Sequence, residues 1–185
     1  SGERMEIEQR CVSQTAAYDS SAPYDDADKL YTIRTYYAPD AGVSGGRLKS
    51  IRFPDGRLDS YSYDKGTYPD ESQYATILPK DRTFTTNTAG DCWRQTVTHG
   101  TITNPAGIAS KTTRDVRVWN RYGAQVLDQT EVYDGPTYHR VGWWVAEHDD
   151  LGHPVRVYYS DGTESSGFWG TGCCGADNRT DRYGI

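Results

Sequence analysis

The chain has 185 residues, room for one domain or for a slice of a longer array, and a formal net charge of −6 at pH 7. Valine, isoleucine, leucine and phenylalanine together supply only about 15% of the residues, a share low enough to raise the question of disorder. The 15 tyrosines and 5 tryptophans argue against disorder, because large aromatic side chains bury much surface at a low entropic cost. We therefore predict a folded chain with a core built on tyrosine and tryptophan.

Charge and hydropathy exclude several classes of protein. No stripe of lysine and arginine is present to neutralise phosphates, so we expect no nucleic-acid partner. No run of about 18 apolar residues occurs, so we expect no membrane insertion. The first ten residues lack the apolar core of a signal peptide, and an exported protein would carry its signal upstream of this sequence.

Short segments with an apolar and polar period of two are rich in β-branched and aromatic residues, and Gly, Asp, Asn or Pro bounds each of them. In chain order they are 30–37, 94–98, 116–119, 126–133 and 155–159. No window of a dozen residues has helical spacing. The sequence therefore predicts an all-β chain of short antiparallel strands.

Glycine-containing turns separate these segments. Asp-Gly pairs, a strong hairpin signal, occur at Asp55-Gly56, Asp134-Gly135 and Asp161-Gly162. A second pattern, with Asn or Asp three residues before Gly, occurs at Asn120 to Gly123, Asp149 to Gly152 and Asp181 to Gly184. In both patterns the acidic or amide side chain can close the turn, and glycine accepts a positive φ at no steric cost.

The turn glycines recur at near-regular intervals. Gly46 and Gly56 are 10 residues apart, as are Gly152 and Gly162, while Gly123 precedes Gly152 by 29 residues. Such self-similarity is typical of repeat architectures, in which each unit buries its face only against its neighbours. The repeated Gly-Arg-Leu of residues 45–66 therefore marks successive turns.

The turns and strands of residues 45–66 combine into one motif: Gly46-Arg47-Leu48, Pro54-Asp55-Gly56 and Tyr61-Ser62-Tyr63-Asp64, with degenerate copies at Trp119 to Gly123 and His148 to His153. These units resemble the tyrosine-aspartate (YD) repeat of Rhs and teneurin-like proteins. The match is good over 45–66 and 116–185 and poor over 1–44 and 67–115. The chain departs from toxin-carrying Rhs proteins in having no Asp-Pro dipeptide, the mark of their self-cleavage core.

The resemblance implies antiparallel hairpin repeats that form an extended, curved YD-type sheet, part of a shell in a cell-surface or secreted protein. On this interpretation residues 1–185 are a single segment of β-repeats whose partners are the neighbouring repeats of a longer protein. Within it, 1–44 holds N-terminal strands, 45–66 one repeat unit, and 67–115 irregular or inserted hairpins. Residues 116–185 hold further units, the last cut short at the C-terminus.

The four cysteines, Cys11, Cys92, Cys173 and Cys174, follow neither a zinc nor a thioredoxin spacing. An extracellular shell would gain from disulfides, and because adjacent cysteines bridge only with strain, Cys173 and Cys174 would pair with Cys11 and Cys92. Free buried thiols, a thiolate metal site and a reactive thiol remain alternatives.

The densest group of possible metal ligands is Glu147, His148, Asp149, Asp150 and His153. Asp149 and Gly152 are also turn residues of the repeat, and neighbouring side chains on a strand point to opposite faces. We therefore predict no metal site, and we expect no cofactor and no catalytic residues.

Exposed aromatic residues offer a binding surface, since their rings can stack on sugars while nearby polar groups bond the hydroxyls. The candidates are Trp143, Trp144, Tyr158, Tyr159 and Trp169. Packing of the same side chains in the core is the alternative. Three functions follow in order of preference: a non-catalytic scaffold, a carbohydrate-binding surface module, and a hydrolase of glycans or peptides.

Overall fold

A computed structural model describes residues 2–11, 29–107, 112–149, 151–168 and 176–180. Twelve β-strands in these ranges form one antiparallel sheet. The strands are β1 (Arg4–Cys11), β2 (Lys29–Tyr36), β3 (Leu48–Arg52), β4 (Arg57–Thr67), β5 (Thr85–Thr86), β6 (Cys92–Thr101), β7 (Thr113–Trp119), β8 (Gln125–Tyr133), β9 (Tyr138–His148), β10 (Pro154–Tyr159), β11 (Glu164–Phe168) and β12 (Ala176–Thr180). Two short 3-10 turns, Gly42–Ser44 and Pro79–Asp81, complete the regular structure of these ranges.

The sheet is a meander in which each strand pairs with its neighbours in the sequence. Its order is β1-β2-β3-β4-β6-β7-β8-β9-β10-β11-β12, and the two-residue β5 stands outside this order. β5 pairs with Gly66 and Thr67 at the end of β4. It uses the same edge of β4 as β3, whose pairing with β4 ends at Ser60. The described residues contain no α-helix, and so no helix that could span a membrane. The prediction of an all-β chain of antiparallel hairpins is confirmed.

Four of the five predicted strand segments fall within a strand, and the fifth, 30–37, overlaps β2 and ends one residue beyond it. They lie in β2, β6, β7, β8 and β10, with boundaries one to three residues wider or shifted. The sequence did not single out β9, the strand that carries Trp143. The last four residues of β9 are all buried, so its sequence there lacks the alternation of a half-exposed strand.

Four hairpin turns share one hydrogen-bond pattern. The glycine N–H donates to the carbonyl three residues earlier, and that earlier residue donates its N–H to the carbonyl just after the glycine. The glycines are Gly56, Gly123, Gly152 and Gly162, with φ of 84°, 79°, 83° and 88°. This is the type I turn followed by a left-handed residue, which produces a one-residue bulge. The two sequence patterns therefore encode one turn.

The acidic and amide side chains stabilise these turns as the sequence predicts. Asn120 Oδ1 accepts hydrogen bonds from the N–H groups two and four residues later, and Asp149 Oδ1 makes the same pair. Asp55 and Asp161 each accept one bond from the N–H two residues later. Gly46, with φ of 71°, closes the longer β2–β3 loop through the same backbone pattern, beginning at Tyr37. Gly184 lies outside the described residues.

The third Asp-Gly pair folds differently. The β8–β9 hairpin is closed by a bond from the N–H of Asp134 to the carbonyl of Thr137, and Gly135 does not have a positive φ. Pro136 follows Gly135, and a proline restricts the residue before it to extended conformations. The hairpin is present, but the turn is of another type.

The core is aliphatic at its centre. Val118, Val126, Leu127 and Val145 are at most 2% exposed, and Tyr68 and Cys92 complete the cluster. The expectation of a core built on tyrosine and tryptophan is wrong in this respect. Trp93, Trp119, Trp143 and Trp144 are half-buried. Trp143 lies on the face whose covering layer is a single loop, and the strand register places the other three on the opposite face.

That layer is the loop of residues 68–84, which leaves β4 and crosses one face of the sheet. Arg82, 1% exposed, anchors it: its Nη2 donates to Glu147 Oε1 on β9 at 2.6 Å. The guanidinium also donates to the loop carbonyls of Tyr74 and Ile77. From β9, Arg140 donates to the carbonyls of Lys80 and Arg82. Residues 67–115 thus contain a covering loop, β5, the long regular strand β6 and the start of β7.

Two glycines allow the chain to return from this loop to the sheet. A Cβ on Gly90 would lie 1.9 Å from the carbonyl oxygen of Gly66, and a Cβ on Gly66 would lie 2.2 Å from that of Thr85. Any side chain at either position would therefore force the two backbone segments apart.

We predict that Gly56→Val lowers the free energy of unfolding by more than about 1 kcal/mol, and that Gly162→Val does the same. The space around Gly56 is open, so the cost arises from placing a β-branched residue at a positive φ. Urea denaturation measures the effect. Gly56→Asn should cost less because asparagine tolerates this conformation, and Gly142→Ala, at an open site without positive φ, should be nearly neutral. Equal stability of the wild type and both valine variants would contradict the turn assignment.

Candidate functional site

A cavity of about 500 Å³ opens between the 68–84 loop and the β10–β11 hairpin. We call it the Trp143 cavity. Trp143, Tyr158 and Tyr159 line it from the sheet, and the loop contributes residues including Leu78 and Arg82. Its size lies within the range of small-molecule sites.

The structure brings three of the five aromatic candidates to this cavity. Trp143 and Tyr158 lie on the face that the loop covers, and the Trp143 ring also packs against the core. Trp144 points to the opposite face, because neighbouring residues of a strand alternate. Tyr159 pairs directly with Trp144, so of the three lining residues Trp143 and Tyr158 are the ones on the loop-covered face. Trp169 lies outside the described residues. The residues predicted to form one binding surface therefore lie on two different faces of the sheet.

The charges around the Trp143 cavity are of both signs. The buried Arg82 guanidinium stands 4.5 Å from the ring centre of Tyr74 and 5.9 Å from that of Tyr158. Its Nη1 is buried and has no hydrogen-bond partner in the described part of the chain. Burial raises the pKa of Tyr74, so this phenol remains neutral well above physiological pH. Glu164 lines the opposite wall.

Hydroxyl groups complete the lining. Ser160 and Thr163 lie in the β10–β11 turn, and Tyr158 Oη accepts a hydrogen bond from Arg156 at 3.0 Å. The site therefore offers aromatic surface together with hydrogen-bond donors and acceptors. Glu164 is the one carboxylate among the described lining residues, whereas general acid–base cleavage of a glycosidic bond uses two.

The side chains of the Glu147 to His153 cluster do not converge on one site, because they bond to different partners. Glu147 pairs with Arg82, while Asp149 closes its turn and pairs with His153 Nδ1 at 3.2 Å. His148 is buried, and desolvation lowers its pKa, so the imidazole is neutral. No set of three or more His, Cys, Asp and Glu side chains in the described ranges could hold a metal ion. Asp150 lies outside those ranges.

An imidazole between two carboxylates lies on the sheet face opposite the loop. His99 Nδ1 is 2.9 Å from Asp59 and its Nε2 is 3.3 Å from Asp115. Burial opposes protonation of His99, but the two carboxylates together outweigh it and raise the pKa of the imidazole. Because both ring nitrogens are engaged, His99 has no nitrogen left to activate a nucleophile.

Cys92 is a buried free thiol in this structure. Burial raises its pKa to about 11, so the group is a thiol and not a thiolate at neutral pH. Nothing is described for the side chain of Cys11 or for Cys173 and Cys174. The disulfide hypothesis for these three cysteines stays a prediction.

Sequence reasoning missed Arg82, the ion pair that it forms with Glu147, and the loop that forms one wall of the cavity. No local pattern marks an arginine for burial, since arginine is almost always exposed unless paired. A scan against protein-family models and searches of curated proteins and of solved structures each found no match.

We predict that Arg82→Met lowers the free energy of unfolding by about 3–5 kcal/mol, because it leaves the Glu147 carboxylate buried without a cation. The double variant Arg82→Met/Glu147→Leu should recover most of this loss, which urea denaturation would measure. The control is Arg121→Met, whose partner Glu71 is about half exposed; it should cost less than about 1 kcal/mol. An Arg82→Met variant as stable as Arg121→Met would contradict the anchoring role of the pair.

Proposed function

We propose that this chain is a non-catalytic segment of a YD-repeat-type protein, cell-surface or secreted, and forms part of a β-shell with the neighbouring repeats of the full-length protein. The observation that carries the proposal is the common hydrogen-bond pattern of the turns at Gly56, Gly123, Gly152 and Gly162. A repeat unit defined by sequence alone needs no common backbone geometry, whereas a structural repeat does. The meander order agrees with this, because each strand then contacts only adjacent units.

The groups with catalytic potential support a non-catalytic role. Both nitrogens of His99 bond to carboxylates, and Cys92 is a buried thiol with a raised pKa. The described lining of the Trp143 cavity offers the single carboxylate Glu164. An enzyme would require convergent groups with matched proton affinities, and these groups do not converge.

A segment of a longer sheet should associate through its edges when it is isolated. β1 is an edge strand of the described sheet, and Met5 and Ile7 on it are 53% and 40% exposed. We predict concentration-dependent self-association in analytical ultracentrifugation, weakened by Ile7→Lys because a charge on an edge strand opposes further pairing. The matched control is Ile102→Lys, in the β6–β7 loop, where the isoleucine is 44% exposed. A monomer at every concentration, or an equal effect of both variants, would contradict this prediction.

Carbohydrate binding at the Trp143 cavity is the second candidate function. It is favoured by the way the fold places Trp143 and Tyr158 on one face, beside a space that also presents Glu164 and the hydroxyls of the β10–β11 turn. Sugars bind through stacking of their apolar faces on aromatic rings and through paired donors and acceptors for their hydroxyls.

We predict that hexasaccharides of glucose or N-acetylglucosamine bind in calorimetric titrations, and that Trp143→Leu weakens the affinity about tenfold through loss of stacking. Trp144→Leu is the matched control: the same change one residue along β9, on the opposite face. If neither hexasaccharide binds, or if both variants weaken binding equally, carbohydrate recognition at this cavity is excluded.

A further inference from the structure

A second aromatic site lies on the face opposite the Trp143 cavity. The strand register places Lys65, Trp93 and Trp119 directly opposite one another on β4, β6 and β7. The next row on the same face begins with Tyr63 and Gln95. Because Arg94, Val118, Leu127 and Val145 form a row on the loop-covered face, their sequence neighbours Trp93, Trp119 and Trp144 point to the other face.

These side chains form a groove of about 370 Å³, which we call the aromatic groove. Its lining includes Tyr63, Trp93, Gln95 and Trp119, all half-buried, and the exposed Arg47. The Arg47 guanidinium carbon is 5.0 Å from the ring centre of Tyr63 and 5.3 Å from that of Trp93. The rings are therefore held in place by neighbours and remain open to solvent.

The polar groups of the aromatic groove are mostly donors. Arg47 and the two indole N–H groups donate, and the Lys65 ammonium stands 5.8 Å from the Trp93 ring centre. No carboxylate is among the described lining residues. Gln95 supplies an amide whose Nε2 is 3.5 Å from Tyr63 Oη. This set differs from the Trp143 cavity, where Glu164 and hydroxyls provide acceptors.

A ligand that matches a donor-rich aromatic groove presents acceptors and apolar rings but few donors. A proline-rich segment in the polyproline II conformation does so, because its carbonyls are free of internal hydrogen bonds and proline has no N–H. Sugar hydroxyls, by contrast, need acceptors such as carboxylates as well as donors.

The spacing of the aromatic rows agrees with this ligand. β4, β6 and β7 are successive strands, so side chains on β4 and β7 lie about 9.5 Å apart across the sheet. One turn of polyproline II contains three residues and advances about 9 Å, after which the same face recurs. Lys65 and Trp119, which share a row, can thus contact ligand residues one turn apart, while Tyr63 lies in the next row.

The positive charge of the aromatic groove further restricts the class of ligand that fits it. Arg47 and Lys65 have no ion pair with a carboxylate in the described part of the chain, although the protein as a whole carries a net charge of −6. Unpaired cations in an acidic protein favour an anionic partner at that place.

We propose that the aromatic groove binds a proline-rich segment of a partner protein, in the polyproline II conformation and with an acidic residue that contacts Arg47. Rigid aromatic docking of such segments costs little entropy, because the ligand is already extended before it binds. This interaction surface is separate from the Trp143 cavity and does not depend on carbohydrate binding there.

The test is an NMR titration of the intact chain, following the indole N–H resonances of Trp93 and Trp119. The probes are three nonapeptides built from three repeats each of Pro-Pro-Glu, Pro-Pro-Lys and Gly-Gly-Glu, together with a glucose hexasaccharide. We expect the Pro-Pro-Glu peptide to bind most tightly and to shift both indole resonances, with Trp144 unaffected.

Two variants separate the electrostatic and the aromatic contributions. Arg47→Glu should weaken binding of the Pro-Pro-Glu peptide by about tenfold or more and reverse its preference over the Pro-Pro-Lys peptide. Lys80→Glu, the same charge change on the opposite face, should leave the affinity unchanged. Trp119→Phe keeps a ring in place but removes the indole donor, and should weaken binding several-fold.

The proposal is overturned if the Gly-Gly-Glu peptide binds as well as the Pro-Pro-Glu peptide, since charge alone would then account for binding. It is also overturned if the hexasaccharide shifts the same indoles, which would make the groove a sugar site, or if they shift with protein concentration alone, which would make it an interface between copies. Absence of any shift at millimolar Pro-Pro-Glu peptide has the same consequence.

Discussion

Each strand of this sheet finds its hydrogen-bonding partner next to itself in the sequence, and the rest of the structure depends on that local pairing. Where two paired strands are joined by a tight hairpin turn, the chain must reverse direction within a few residues without disturbing the register. The turns ending at Gly56, Gly123, Gly152 and Gly162 do so with a left-handed residue and a one-residue bulge. Because the same solution recurs, the sheet extends by adding hairpins and needs no long-range connection.

Local pairing satisfies the backbone but leaves the faces of the sheet uncovered. Among the connections that the structure describes in full, the 68–84 loop is the one that crosses a face, and it does so over the valines and Leu127 of the central strands. A single loop supplies little apolar surface, so the ion pair of Arg82 with Glu147 carries much of the attachment. This explains why Arg82 is almost fully buried. It also explains why, in the described part of the chain, the 68–84 loop covers one face of the central strands and leaves the opposite face open to solvent.

The sequence predicts what depends on neighbours along the chain and fails where distant segments meet. Period-two patterns located five strands. The Asp and Asn side chains of the turns accept backbone N–H hydrogen bonds, as their chemistry predicts. Gly66 and Gly90 show no such signal, because their requirement arises from a close backbone approach between segments more than twenty residues apart. The expected tyrosine and tryptophan core failed for a related reason: composition indicates how much aromatic surface exists, but not that Trp93, Trp119 and Trp144 would lie on the face opposite the covering loop. The sequence predicted Trp143, Tyr158 and Tyr159 as ligand-binding candidates, but it predicted neither the loop that forms one wall of the cavity nor the charged lining residues Arg82 and Glu164.

Adjacent tryptophans in β9 illustrate how a two-faced sheet can separate two kinds of recognition. Trp143 lies beneath the loop with a carboxylate and hydroxyls nearby, whereas Trp144 shares its face with Trp93, Trp119 and the free cations beside them. Because side chains alternate along a strand, residues that are adjacent in the sequence belong to two different surfaces, and each surface can have its own set of polar groups. A site with donors and acceptors suits a polyhydroxylated ligand, and a site lined mostly by donors suits a ligand whose backbone offers only acceptors. The presence of a carboxylate in the Trp143 cavity and its absence from the described lining of the aromatic groove, more than the number of exposed rings, therefore determine what each site can bind.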